Sequence, residues 1–207
     1  DYLIGEMKKL GFYCQFLAVG SMGGVLAAKR GECDLASTHL MDPNSRIYNN
    51  HLVTPKLHLE KGYRRKQGLL FRMDDPNFSE FTGSIENVFK KIVKNLDLRM
   101  INRNRGSGTR VLLDDLLKDF RPSGFSNEAK SHNSVAAAIS QKRADWGIAI
   151  RSVAEDLSLG FFPIQNEEYD FIIPKERMKR EGVSAFLNLL KEPKILENLR
   201  LLDLEVN

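Results

Sequence analysis

The sequence predicts an α/β fold, and three patterns carry that prediction. An apolar strand, a glycine-rich turn and a helix follow one another at residues 16–28. The same order recurs at residues 98–120. Residues 30–40 and 143–150 then each hold a basic residue, a Gly or Ala, an Asp and a short strand. Strands that alternate with helices in this way are typical of α/β domains.

Composition agrees with a domain that has a sizeable core. The chain has 207 residues, of which 42% are hydrophobic and 28% charged. No apolar run is long enough for a transmembrane helix, so a membrane span is not expected. Cys14 and Cys33 fit neither a metal quartet nor a disulfide framework, and buried thiols are expected instead. A net charge of +4 suits an anionic ligand.

The first strand–turn–helix unit contains Gly-Ser-Met-Gly-Gly at residues 20–24. Residues 16–19 are expected to form the strand, and the helix to continue to Ala28. Ser21, Met22 and Gly23 then lie at a helix N-terminus, where unpaired N–H groups favour anions. The full Gly-x-Gly-x-x-Gly pattern is absent, which disfavours a dinucleotide site.

The second unit joins a strand at 98–102 to a helix that runs on to Phe120. Its turn, residues 103–110, carries three arginines, two hydroxyls and two glycines. Two interpretations stay open: an ordinary helix cap followed by surface arginines, or a turn that holds an anion. The lysine of a nucleotide-binding P-loop is missing, so ATP binding is disfavoured. Ser107 and Thr109 are expected on the turn, outside the core.

Further candidates lie at strand and helix ends. His39 ends the strand within residues 30–40, and His132 stands before the helix predicted from Val135 to Arg143. Most single histidines are structural, and these two are candidates because of where they lie. Tyr169 offers a phenol that can donate to an oxyanion, although packing explains it almost equally well.

These motifs, in their order along the chain, resemble a known family. The stretches that carry the likeness are 20–24, 31–36, 39–40, 48–49, 65–69, 102–103, 106–110, 112–114, 131–132, 144–147 and 168–170. They resemble the type II periplasmic-binding-protein fold. The likeness is to the domain of that fold attached to molybdopterin-biosynthesis proteins and to molybdate-responsive or LysR-like regulators.

The resemblance implies two α/β lobes joined by crossing strands, with a ligand cleft between them. Residues 1–74 and 171–207 are expected to form the first lobe, and 75–170 the second. Helices at 183–190 and 193–199 are expected to pack on the first lobe. Because the family normally begins with a strand, that strand and part of the ligand site are expected outside the given sequence. The resemblance favours the cytoplasm over the periplasm.

The resemblance further implies a small anionic ligand, with molybdate or tungstate favoured, and no other cofactor. The expected ligand-binding residues are Ser21, Met22, Gly23, His39, Arg103, Ser107, Gly108, Thr109, Arg110, His132 and Tyr169. An organic anion or a pterin-type metabolite stays open as the ligand. So does a role as the effector domain of a transcriptional regulator. A DNA-binding or molybdopterin-biosynthesis domain outside this chain is the expected fused partner.

An enzyme is not expected, because no Ser-His-acid set, paired carboxylates or metal cluster can be assembled from the sequence. No catalytic or metal-binding residue is assigned. The basic string at residues 61–66 lacks interleaved aromatic residues, so direct nucleic-acid binding is disfavoured.

Overall fold

A computed structural model of the chain describes residues 2–78 and 84–206, in which helices alternate with strands as predicted. The helices are α1 (Tyr2–Lys9), α2 (Gly20–Lys29), α3 (Ile85–Lys94), α4 (Gly108–Leu117), α5 (His132–Ser140), α6 (Arg151–Asp156), α7 (Glu181–Leu189) and α8 (Pro193–Leu201). The strands are β1 (Ala36–Thr38), β2 (Leu57–Phe71), β3 (Met100–Arg103), β4 (Glu128–Ala129), β5 (Trp146–Ile150), β6 (Gly160–Pro174) and β7 (Glu205–Val206).

Contacts between residues divide the chain into two compact units. The first comprises Asp1–Arg64 and Glu168–Asn207, and the second comprises Arg65–Glu167. The long strands β2 and β6 each contribute residues to both units. The lobe limits expected from the resemblance, after residues 74 and 170, stay predictions.

In the first unit the strands follow the order β1, β6, β2, β7. β1 pairs with β6 in antiparallel fashion, with Ala36 opposite Ile172, and β7 pairs antiparallel with β2. Helices bury apolar side chains in two clusters that contain, among others, Met7, Val25, Ala28, Leu57, Phe171, Ile172, Phe186, Leu189, Ile195 and Leu199.

In the second unit the order is β6, β2, β5, β3, β4. β3 runs parallel to both of its neighbours, with Met100 opposite Trp146 and Asn102 opposite Glu128. Helices α3, α4 and α5 supply much of its core, in which Leu69, Leu70, Val88, Ile92, Leu113, Val135, Ile139, Trp146 and Ile148 are buried. Parallel strands place their carboxyl ends at one edge, where the following helices begin.

One glycine of the first unit is required by a close backbone approach. A Cβ added to Gly62 in β2 would lie 2.2 Å from the Tyr169 carbonyl oxygen, well inside van der Waals contact. A side chain at this position therefore forces the two strands apart.

Most predicted elements are present, and one is wrong. The helices predicted after both glycine turns, the strand before the second turn and the two C-terminal helices are all confirmed. Residues 16–19, predicted as a strand, have no regular structure. The side chains of Phe16, Leu17 and Val19 are 63%, 66% and 53% exposed. Without burial of one face, an apolar run lacks the packing that stabilises a strand.

Candidate functional site

The strongest candidate site lies in the second unit, where two helices begin beside each other. β3 and β4 are parallel neighbours, with Arg103 opposite Ala129. Helix α4 follows β3, and helix α5 follows β4. Each helix has a serine at its N-cap whose hydroxyl accepts a backbone N–H, Ser107 from Arg110 and Ser131 from Ser134. Two positive helix ends therefore come together at the carboxyl ends of adjacent strands.

Ser107 and Thr109 are buried, contrary to the expectation that they lie on the turn outside the core. Their exposed fractions are 1% and 0%. Ser107 Oγ accepts from Arg110 N at 3.2 Å, and Thr109 Oγ1 accepts from Gln67 Nε2 at 3.1 Å. The Thr109 bond links the first turn of α4 to β2. Both hydroxyls act as acceptors, so each retains an O–H proton for donation.

Gly108 completes this turn. The backbone N–H groups of Gly108 and Thr109 have no acceptor within residues 2–78 and 84–206, as is usual for the first turn of a helix. They are available to an anion at this end of α4.

Arg103 is the most unusual residue of the site. It is 8% exposed, and its Nε and Nη2 donate to the carbonyls of Ala129 and Lys130 at 3.3 and 3.4 Å. Its Nη1 is buried and has no hydrogen-bond acceptor among the described residues. Burial, then repulsion by Arg65, lowers the pKa of the Arg103 guanidinium to about 10, and Glu167 opposes this shift. The guanidinium is a buried cation that lacks a direct anionic partner in the described chain.

Arg110 is tied into the protein. Its Nε donates to both carboxylate oxygens of Asp114 at 2.8 and 2.9 Å, and its Nη1 donates to Glu128 Oε1 at 2.9 Å. Its Nη1 also donates to the Arg103 carbonyl at 3.2 Å. The guanidinium lies 4.6 Å from the centre of the Phe125 ring. Arg110 therefore joins α4 to β3 and β4, whereas the buried Arg103 guanidinium forms no ion pair with the described residues.

His132 is the first residue of α5, directly after the Ser131 cap. It is half-buried at the same helix end that the Arg103 side chain approaches through Lys130. The structure thus brings Arg103, Ser107, Gly108, Thr109, Arg110 and His132 to one edge of the second unit.

Three polar residues at this edge, of which Gln67 and Glu167 are buried, were not assigned from the sequence. Arg65 and Gln67 on β2 both donate to the Glu167 carboxylate on β6. Glu167 and Gln67 are each 1% exposed. The alternation of Arg65 and Gln67 along one strand face was the available signal, but the sequence does not reveal that Glu167 stands opposite.

The first unit holds the remaining candidates in two places. Ser21, Met22 and Gly23 form the first turn of α2, whose N-cap residue, Val19, makes no side-chain cap hydrogen bond. Ser21 is 3% exposed and Met22 is 46% exposed. The turn predicted from the glycines is present, although no strand precedes it.

His39 and Tyr169 lie together in the first unit as parts of an aromatic stack. The Tyr169 ring stacks on His39 at 5.7 Å between centroids and on Tyr63 at 5.2 Å. Such stacking orients the imidazole and the phenol ring without a ligand.

Asn49 organises the backbone next to this stack. It is fully buried in the left-handed conformation, with φ 62°. Its Oδ1 accepts from Leu40 N at 2.8 Å and from Thr38 Oγ1 at 3.2 Å. Its Nδ2 donates to Asp170 Oδ2 at 2.9 Å, and Asp170 also accepts from Lys61. One amide thereby fixes the end of β1 against β6.

Two structural observations concern other functions. Within residues 2–78 and 84–206, no three His, Cys, Asp or Glu side chains are grouped to hold a metal ion. No helix in that part of the chain is long and apolar enough to cross a membrane.

Comparison with known proteins identifies relatives by sequence. The model of the PBP superfamily domain matches residues 5–191. The uncharacterized protein YvgK of Bacillus subtilis is 32% identical over 180 residues, which are 82% of this chain and 56% of YvgK. The chain thus spans little more than half the length of this curated relative.

Solved structures share the fold. A putative phosphate transporter substrate-binding protein with bound phosphate, from Clostridium perfringens, has a TM-score of 0.69 at 12% identity, covering 91% of this chain and 86% of its own. The tungstate ABC transporter from Geobacter sulfurreducens has a TM-score of 0.67 at 15% identity, and the match covers 95% of this chain and 90% of that chain. The regulatory domain of the LysR family regulator MetR from N. meningitidis has a TM-score of 0.63 at 8% identity, and the match covers 95% of this chain and 88% of that chain. These likenesses confirm the fold that the sequence resemblance implied.

Proposed function

Because the chain belongs to the PBP superfamily, we propose that it is a non-catalytic domain whose second unit binds a small oxyanion. The observation that carries the proposal is the Arg103 guanidinium, which is 8% exposed with its Nη1 lacking an acceptor in the described chain. A buried charge without a partner destabilises a protein strongly. An anion at this position supplies both the missing charge and the missing hydrogen-bond acceptor.

The groups around Arg103 support an oxyanion because they donate hydrogen bonds. Ser107 and Thr109 each retain an O–H proton, and the N–H groups at the start of α4 point out of the helix end. The positive ends of α4 and α5 add to the attraction. Several donors around one guanidinium match the several acceptor oxygens of a tetrahedral oxyanion.

Among oxyanions we favour molybdate or tungstate. Both are fully deprotonated at neutral pH, so all of their oxygens accept hydrogen bonds. Phosphate retains at least one proton at pH 7 and requires an acceptor for it. The donors of Arg103, Ser107 and Thr109 suit an ion without protons. The likeness to both a tungstate transporter structure and a phosphate-binding structure is compatible with either ion.

An organic anion is the second candidate, because the fork of the Arg103 guanidinium also matches a carboxylate. We further propose that the domain acts within a larger protein. A DNA-binding domain or a molybdopterin-biosynthesis domain is the partner that the sequence resemblance implies.

Calorimetric titration of the 207-residue chain with molybdate, tungstate, sulfate, phosphate and a short dicarboxylate tests this proposal. We expect one site for molybdate or tungstate and a loss of affinity of at least about a hundredfold in Arg103→Gln. Arg105→Gln is the matched control, because Arg105 is an exposed arginine of the same turn. Equal losses in both variants would indicate general charge attraction, and binding of the dicarboxylate alone would favour the organic anion.

A further inference from the structure

The candidate site contains a buried carboxylate, Glu167, which is paired with side chains of the protein. Glu167 is 1% exposed, and its two oxygens accept from Arg65 Nε and Gln67 Nε2. The Arg65 side chain is only 10% exposed. Glu167 and Arg65 therefore form a buried ion pair within the second unit, on the strands β6 and β2.

This ion pair acts on the charge of Arg103. Arg65 repels the Arg103 guanidinium, whereas Glu167 attracts it. The three side chains together carry two positive charges and one negative charge. Asp114 and Glu128, which pair with Arg110, are 44% and 37% exposed in their side chains, so water and salt screen them.

The helix ends complete the charge balance. The N-termini of α4 and α5 each contribute about half a positive charge. With the single uncompensated arginine of the cluster, the site presents about two positive charges. A divalent ion balances that charge, and a monovalent ion leaves part of it uncompensated.

We propose that Glu167 is a specificity-determining residue, which neutralises Arg65 and leaves the site matched to a divalent tetrahedral oxyanion. This inference rests on the proposed function, because it concerns the charge of the ligand held at Arg103. Without the Glu167 carboxylate, Arg65 adds a third positive charge. The attraction for any anion then rises in proportion to the anion's own charge.

Sulfate and perchlorate separate charge from shape, because both are tetrahedral and they differ by one unit of charge. We expect the wild-type chain to bind sulfate or tungstate and to bind perchlorate at least about a hundredfold more weakly. Glu167→Gln is expected to raise the affinity for the dianions at least about tenfold. The fold-change for perchlorate is expected to be about the square root of the fold-change for sulfate, because its charge is half as large.

Three further variants keep the test decisive if Glu167→Gln does not fold. Arg65→Gln removes a positive charge and is expected to lower the affinity for the dianions at least about tenfold. The double variant Arg65→Gln with Glu167→Gln restores the balance and is expected to approach wild-type selectivity. Glu167→Asp keeps the charge, so it is expected to keep the ratio of sulfate to perchlorate affinity.

The outcomes distinguish the two proposals. If the wild-type chain binds dianions and both Glu167→Gln and Arg65→Gln leave the ratio of sulfate to perchlorate affinity unchanged, the inference about Glu167 is overturned and the proposed function stands. The same holds if Glu167→Asp changes the ratio of sulfate to perchlorate affinity as much as Glu167→Gln does, because the role is then structural. If neither the wild-type chain nor any variant binds an oxyanion, the proposed function fails, and this inference fails with it.

Discussion

The Gln67 side-chain amide donates a hydrogen bond of 3.1 Å to the Thr109 hydroxyl, and both residues are buried. The same amide nitrogen donates to Glu167, so both of its N–H groups are used. The bond ties the first turn of α4 to strand β2. It orients the Thr109 hydroxyl by occupying it as an acceptor, which leaves the O–H proton for the proposed oxyanion.

Thr109→Val is expected to destabilise the chain by about 1–3 kcal/mol, because it leaves a buried Gln67 N–H without an acceptor. Its oxyanion affinity is expected to fall as well. Thr109→Ser keeps the hydroxyl and is expected to retain most of both properties. Urea unfolding and calorimetry measure the two effects. A Val variant as stable as wild type would show that this hydrogen bond contributes little.

Ser107→Ala is expected to lower the free energy of unfolding by about 1 kcal/mol, because it removes the side-chain cap of α4. Ser84→Ala is the matched control. Ser84 is also an N-cap serine, in α3, but it makes no side-chain cap hydrogen bond. Urea unfolding should therefore show a smaller loss at Ser84, and equal losses would contradict the capping role assigned to Ser107.

Asn49→Ala is expected to lower the free energy of unfolding by about 3 kcal/mol or more, since the buried Leu40 N–H loses its acceptor and Asp170 loses a donor. Alanine also disfavours the positive φ of this position. Asn49→Gly separates the two causes, because glycine adopts that φ readily. If Gly restores wild-type stability in thermal unfolding, backbone conformation and not the amide dominates.

Arg103→Met is expected to stabilise the anion-free chain at pH 7 by on the order of 1 kcal/mol. Burial lowers the pKa of the Arg103 guanidinium from its ordinary value to about 10, so the folded state disfavours the protonated form. That cost is fully present below pH 10 and fades as the pH rises toward the unfolded value. Urea unfolding at pH 7 and pH 9 should show the same gain. A clear loss of stability would contradict an uncompensated charge.

The sequence predicted the strand, the turn and the helix around Arg103 because these parts are local. A strand, a glycine turn and a capped helix occupy consecutive residues, and their order alone places Arg103, Ser107 and Thr109 near one helix end. The sequence was compatible with two interpretations of this turn, an ordinary helix cap or a turn that holds an anion. Ser107 does cap the helix, so the first is confirmed, and the second stays a proposal.

Nonlocal pairing explains what the sequence did not reveal. Arg65 and Glu167 are far apart along the chain, and only the alignment of β2 with β6 makes them an ion pair. The strand prediction at residues 16–19 was wrong for a different reason. The apolar residues there fit a strand pattern, but their side chains are not buried in the described structure.

The most direct test of the central claim is the stoichiometry and affinity of tungstate for the wild-type chain, compared with Arg103→Gln, by calorimetry at pH 7.5. We predict one tungstate per chain for the wild type and no measurable site in the variant. Equal tungstate binding by both proteins, or none by the wild type under conditions where it is folded, would contradict an oxyanion site built on Arg103.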